Sequence, residues 1–150
     1  MTNGELRQIL AAHRSDPSNI LKALLAVQAQ VGHVPMDGIA EMARALGVTT
    51  AQVAGVLSYY PDLRVHPSGR HLVRVCMGES CFANGCTRVL RELQDQLRAD
   101  VGEIYPGGRF TLETMSCAGN CAVSPTVSID DDLHGRVLPS QIAGLLERYK

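Results

Sequence analysis

The chain has 150 residues, of which 45% are hydrophobic and 19% charged, and its formal net charge is −1. That mix belongs to a globular protein of one domain or two small ones, with no general electrostatic pull toward nucleic acid or anionic lipid. No apolar run approaches the ~18 residues of a membrane span, and the opening MTNGELRQIL lacks the pattern of a secretory leader, so the cytoplasm is the expected address.

The first sixty residues read as helices. Asp16 and Pro17 form a start signal, a cap followed by proline at the first helical position. Ile20, Leu21, Leu24, Leu25, Gln28 and Val31 then recur at helical spacing, and Gly32 is the expected stop. A second helix is expected from Asp37 to Leu46, with Ile39, Met42, Ala43 and Leu46 inward and Gly47 as its C-cap. Thr49 or Thr50 can cap a third helix carrying Val53, Val56, Leu57 and Tyr60, which Pro61 ends. PDLRVHPSGR, residues 61–70, is the expected linker. It divides the chain into a helical bundle over 1–66 and a second domain over 67–150.

The pattern changes after the linker. HLVRVC alternates and is rich in valine, so it reads as a strand. A helix is expected from Phe82 to Leu97, with Val89, Leu90, Leu93 and Leu97 on one stripe. YPGG is a turn, FTLETM a second strand and TVSID a third. DDLHGRV is a hairpin signal with room for a short fourth strand, and PSQIAGLLERYK closes as a helix. This order predicts an α+β chain in which helices pack against a sheet.

The cysteines fall at the joints of this map. Cys76 ends the first strand and Cys81 lies before the helix. Cys117 follows the second strand, and Cys121 precedes the third. The spacing is C-x4-C, then 35 residues, then C-x3-C. Short-spaced cysteines in a cytoplasmic chain point to metal or redox chemistry rather than structural disulfides. No C-x-x-C occurs, which argues against a thiol-redox enzyme. Zinc modules favour C-x2-4-C pairs, so the second pair suits zinc and the first falls outside its range; a two-iron, two-sulfide cluster also takes four cysteines. Gly78 and Gly119 would let backbone N–H groups approach sulfur, with Ser80, Ser116 and Asn120 as further donors. A helix starting after Cys81 would set positive partial charge beside the site. Cys86 lies inside the expected helix and reads as a small buried hydrophobe, with alternative ligation as the rival.

Cys76-x4-Cys81 and Cys117-x3-Cys121, followed by SPTVSIDDDLHGRVLPSQIAGLL, resemble the thioredoxin-like 2Fe–2S ferredoxins. Upstream, ILKALLAVQAQVGHVPMDGIAEMARALGVTTAQVAGVLSYY is similar to the family's helical N-terminal segment, with Tyr59-Tyr60 where Phe-Tyr is commoner, so the resemblance spans roughly residues 17–149. It implies a thioredoxin-like α/β sandwich with a mixed sheet over 67–150. It also implies one 2Fe–2S cluster, with Cys76, Cys81, Cys117 and Cys121 as its metal ligands, and a proline, Pro125, of the kind often cis in such folds.

The family supplies small iron–sulfur subunits to the NADH-dehydrogenase module of complex I, to NAD-reducing hydrogenases and to NAD-dependent formate dehydrogenases. The short chain most resembles the gamma subunit of the last. The implied role is electron transfer without a catalytic residue of its own. A partner subunit would carry flavin mononucleotide and NAD, and a larger catalytic subunit further clusters. The chain itself has no G-x-G-x-x-G after a strand and no P-loop.

Three rivals are open on the sequence. IAEMARALGVTTAQVAGVLSYY could be a helix-turn-helix in an iron–sulfur regulator, but TTAQVAGVLSYY has no Lys or Arg for phosphate, and Gln52 alone suits base readout. A free ferredoxin carrier is the second, and a zinc-stabilised binding module the third. A docked subunit could use Tyr59, Tyr60, Leu63 and Val65 as contacts, against the simpler reading that Tyr60 closes the bundle core. His13, His33, His66, His71 and His134 sit near expected turns or element ends, where capping or solvation accounts for them.

Overall fold

The computed structural model describes residues 3–11, 17–104 and 108–149. Asp16, His13 and most of the YPGG turn lie outside these. The chain forms two compact units, residues 1–67 and 68–150.

In the first unit, α1 (Asn3–Leu10), α2 (Ile20–Val31), α3 (Ile39–Leu46) and α4 (Thr50–Tyr59) enclose a core of Leu6, Leu10, Leu24, Val27, Met42, Leu46 and Val53. Short 3-10 turns at Pro17–Asn19 and Met36–Gly38 lead into α2 and α3, so the second expected helix begins as a tighter coil. Gly32 and Gly47 end α2 and α3 at φ +85° and +69°, the left-handed conformation that glycine takes without strain. Thr49 caps α4 in a reciprocal box: the Gln52 amide donates to Thr49 Oγ1, and the Thr49 amide donates to Gln52 Oε1. The side chain singled out for base readout is thus engaged in capping.

Gln28 interrupts the apolar stripe of α2 for a physical reason. Its Nε2 donates to the Asp62 carbonyl at 2.7 Å, and its Oε1 accepts from the Arg64 amide at 2.6 Å. One side chain therefore holds the segment after α4 against α2. Leu25, on the same expected stripe, is exposed. Tyr60 does not close the core: it is exposed, with its ring edge-on to Tyr59 at 5.1 Å between centroids. Leu63, expected as a contact, is buried in the core instead, with Val65 packed beside it.

The second unit is built on β1 (His71–Cys76), β2 (Phe110–Met115), β3 (Val127–Ile129) and β4 (Asp132–His134), ordered β2-β1-β3-β4. β1 and β2 run parallel, while β1–β3 and β3–β4 are antiparallel. The expected short fourth strand is β4. Between β1 and β2 the chain forms α5 (Glu79–Ala83) and α6 (Cys86–Leu97), and α7 (Ile142–Glu147) packs on α6. Val89, Leu93 and Leu97 of α6 join Val73, Val75, Leu112, Val127, Ile129 and Ile142 in one core.

The single helix expected over 82–97 is therefore two. Gly85 takes φ +85°, which breaks the α-helical path, and Asn84 turns back to donate to the Ser80 carbonyl at 2.8 Å. Cys81 consequently lies within α5 rather than before a helix, and Cys86 is the first residue of α6.

Candidate functional site

Strand pairing brings the cysteine loops together. Because β1 and β2 are parallel neighbours, both end at the same edge, with Cys76 opposite Met115 and the Met77 amide donating to the Met115 carbonyl at 2.9 Å. The loops Met77–Gly78 and Ser116–Asn120 therefore leave the sheet side by side. β3 runs the other way and starts at this edge, so Thr126 meets Cys76: the Cys76 amide donates to the Thr126 carbonyl at 3.0 Å. The Ser124–Pro125 peptide just before it is cis, as the family resemblance implies.

Backbone amides point at sulfur. Ala118 N–H donates to Cys76 Sγ and Gly119 N–H to Cys117 Sγ, each at 3.4 Å. Gly78 permits the close approach: a Cβ there would stand 3.1 Å from the Ser116 carbonyl oxygen and 3.5 Å from Cys117 Sγ. Among the described residues, no hydrogen bond ties Ser80, Ser116 or Asn120 side chains to sulfur. The donors are backbone groups, which sequence identity does not advertise. Asn84, unremarked in the sequence, braces the site by donating to both the Ser80 carbonyl and Ser124 Oγ at 2.8 Å.

The thiols differ in environment. Cys76 and Cys81 are 2% exposed, whereas Cys117 and Cys121 are exposed. Burial pushes the Cys76 thiol up, but the Gly78 and Ala118 amides together with the Cys81 and Cys117 thiols outweigh it, and its pKa falls below the ordinary cysteine value. Burial pushes Cys81 up, reinforced by its hydrogen bond to Cys76 and the charge there, with Thr126 opposing. The neighbouring Cys81 and Cys117 thiols thus both lower the Cys76 pKa. Cys121 stands at the head of a 3-10 turn on the same loop as Cys117.

Cys86 is separate. It is fully buried, its Sγ donates to Met77 Sδ at 3.7 Å, and burial followed by the charge on Cys76 raises its pKa. No three His, Cys, Asp or Glu side chains among the described residues gather closely enough for one ion. A two-iron cluster asks for two thiolates per iron, which suits a buried pair and an exposed pair on facing loops. The donor set, the amides aimed at sulfur and the space kept by Gly78 fit such a group.

A family model for the thioredoxin-like [2Fe-2S] ferredoxins matches residues 6–150. The chain belongs to that family. One 2Fe–2S cluster is accordingly its cofactor. It is 41% identical over 138 residues to the E subunit of the NADH-quinone oxidoreductase of Pseudomonas aeruginosa, covering 91% of this chain and 83% of the relative. It is 32% identical over 145 residues to the HndA subunit of the NADP-reducing hydrogenase of Solidesulfovibrio fructosivorans, covering 97% and 85%. In structure it resembles a chain of an NAD+-reducing [NiFe]-hydrogenase with a TM-score of 0.73 at 18% identity, over 91% of this chain and 23% of that one. The α+β fold with its mixed four-stranded sheet is thus the fold of a known iron–sulfur family.

The histidines take structural parts within this ferredoxin unit. His71 Nδ1 meets Asp130 Oδ2 at 2.7 Å, and His134 Nε2 meets the Tyr149 hydroxyl at 2.8 Å. An open cleft of about 330 Å³ lies beside His134, Gln141 and Arg148 and contains no cysteine. Among the described residues, no helix is long and apolar enough to cross a membrane.

Proposed function

We propose that Cys76, Cys81, Cys117 and Cys121 hold the 2Fe–2S cluster, and that the chain is the electron-transfer component of a cytoplasmic, multisubunit NAD(P)H-linked oxidoreductase. The observation that carries the ligand set is the meeting of Cys76, Cys81 and Cys117 at one sheet edge, with backbone amides on two of their sulfurs. Cys121 is assigned to the fourth position by its place on the Cys117 loop.

When bound, the cluster supplies storage of one electron. The protein's residues do the rest. Cys76 and Cys81 bury one side and keep water from it. Cys117 and Cys121 bring the other side to the surface, with Phe82, 60% exposed, next to Cys81 in sequence. A flavin-bearing NADH-binding subunit is the partner that fits: hydride chemistry delivers two electrons, and an iron–sulfur protein takes them singly. The relatives reported above come from NADH–quinone and hydrogenase complexes, which supports those owners at least as well as the formate dehydrogenase expected from the sequence.

The test is co-purification with a flavoprotein whose gene lies nearby, followed by addition of NADH and paramagnetic resonance. The expected result is a reduced 2Fe–2S signal from this chain, lost in Cys76→Ser, Cys81→Ser, Cys117→Ser or Cys121→Ser. A cluster that dithionite reduces but NADH with the flavoprotein does not would refute the proposed partner. A full cluster in Cys121→Ser would remove that residue from the ligand set.

A further inference from the structure

Thr126 is a polar residue in an apolar place. It is completely buried immediately before β3, followed by the core residues Val127 and Ile129. Valine would fill the position without a polar atom to satisfy. The Thr126 carbonyl is accounted for by the Cys76 amide, but Oγ1 has no hydrogen-bond partner of regular geometry. Of the orphaned side-chain atoms among the described residues, which also include His33 Nδ1 and Arg64 Nε, Oγ1 of Thr126 is the one beside a cysteine. Both its backbone N–H and its hydroxyl act on the neighbouring Cys81 thiol, opposing the rise that burial causes there.

A neutral thiol is a weak acceptor, whereas a thiolate is a strong one. The hydroxyl is thus left unsatisfied by the protonated cysteine and satisfied by the sulfur of a metal ligand. We propose that Thr126 is a positioning residue for the cluster: its hydroxyl donates to the Cys81 thiolate and raises the reduction potential. This rests on the assignment of Cys81 as a ligand. Reduction adds one electron and, by ionic counting, takes the four-thiolate cluster from about −2 to about −3 with no bond broken. A donor fixed at sulfur stabilises the more negative form, and the dry surroundings of Thr126 keep water from replacing it.

The experiment is a potentiometric titration, followed by paramagnetic resonance, of the full chain carrying its cluster. Wild type is compared with Thr126→Ser, Thr126→Val and Thr126→Ala. Thr126→Ser keeps the wild-type midpoint. Thr126→Val and Thr126→Ala lower the reduced-to-oxidised ratio at fixed potential by roughly tenfold, equivalent to about 59 mV for one electron. Valine and alanine remove the hydroxyl with opposite changes in the space filled, so each checks the other for faults of assembly. If both assemble no cluster while Thr126→Ser does, the hydroxyl is again what the cluster requires. Equal midpoints in all four proteins overturn the proposal and leave the ligand set standing, and so does loss of the cluster in Thr126→Ser. A wild-type absorption spectrum retained in Cys81→Ser overturns the ligand assignment beneath it.

Discussion

Gly78 lies so close to Ser116 that a Cβ on residue 78 would stand 3.1 Å from the Ser116 carbonyl oxygen. The two residues belong to different cysteine loops. Their approach sets beside Cys76 both Gly78, whose backbone lowers its pKa, and Ala118, whose N–H donates to its sulfur. Gly78 has φ −63°, so any residue can adopt its backbone conformation, and the demand is for space alone. Gly78→Ala should therefore fold, move the loops apart by a few tenths of an ångström and cost about 1–3 kcal/mol, the usual range for overpacking. Gly78→Val should cost more and lower the cluster content per chain. Iron and labile sulfide analysis beside thermal melts checks both. Full cluster content in Gly78→Val would show that the loops have slack.

Gln28→Ala tests the helical unit. It removes both hydrogen bonds that hold residues 62–64 to α2. The Arg64 amide, part-buried, then loses its acceptor. The expected loss is about 1–3 kcal/mol, the cost of stranding a buried polar group. Gln28→Glu keeps the acceptor for the Arg64 amide but sets a charge against the Asp62 carbonyl, so it should recover part of the loss. Urea unfolding followed by circular dichroism reads the difference.

These two sites differ in how readily the sequence reveals them. Glycine caps at 32 and 47 and the Thr49 cap are local devices, written in neighbouring residues, and the structure has them where the pattern puts them. The break at Asn84–Gly85 is equally local, yet the apolar stripe that defines the helix starts only at Val89. Phe82, its expected first residue, is exposed, so nothing in the periodicity supports the first turn. The partners of Gln28 and Thr126 are remote in sequence, and side-chain type alone does not name them. The donors to sulfur are legible as a need for glycine but not as particular amides, because every residue here carries the same backbone N–H.

Cys86 supplies a control for the ligand set. Its sulfur is fully buried and donates to Met77 Sδ, in the same core cluster as Cys76 and Cys81, while no backbone amide of the Ser116–Asn120 loop donates to it among the described residues. Cys86→Ala should keep one cluster per chain with an unchanged absorption spectrum and a modest loss of stability. Cys86→Ser should also keep the cluster, but it buries a hydroxyl among apolar groups and should cost about 1–3 kcal/mol. Iron content and melting temperature measured on the same samples separate the two effects. Loss of iron from a folded Cys86→Ala protein would move Cys86 into the site.

The pH dependence of the ferredoxin unit should follow His134. Burial, then the charge of Arg148, holds its pKa below 6.5, against the opposing pull of Asp132. The unfolded chain therefore takes up a proton near 6.5, while the folded chain resists until lower pH. Stability from this residue is full above 6.5 and is lost as pH falls through the folded value. Tyr149, which accepts from His134 and donates to Asp132, behaves in the opposite sense. Burial and the Asp132 hydrogen bond raise its pKa above 10, so its contribution is full below 10 and is lost as pH rises through the folded value. The tie between β4 and the end of α7 is thus strongest between these limits. Melting temperature should drop between pH 8 and pH 5.5, and the drop should narrow in His134→Gln, which cannot take up a proton. An identical drop in the variant would assign the acid sensitivity to other groups.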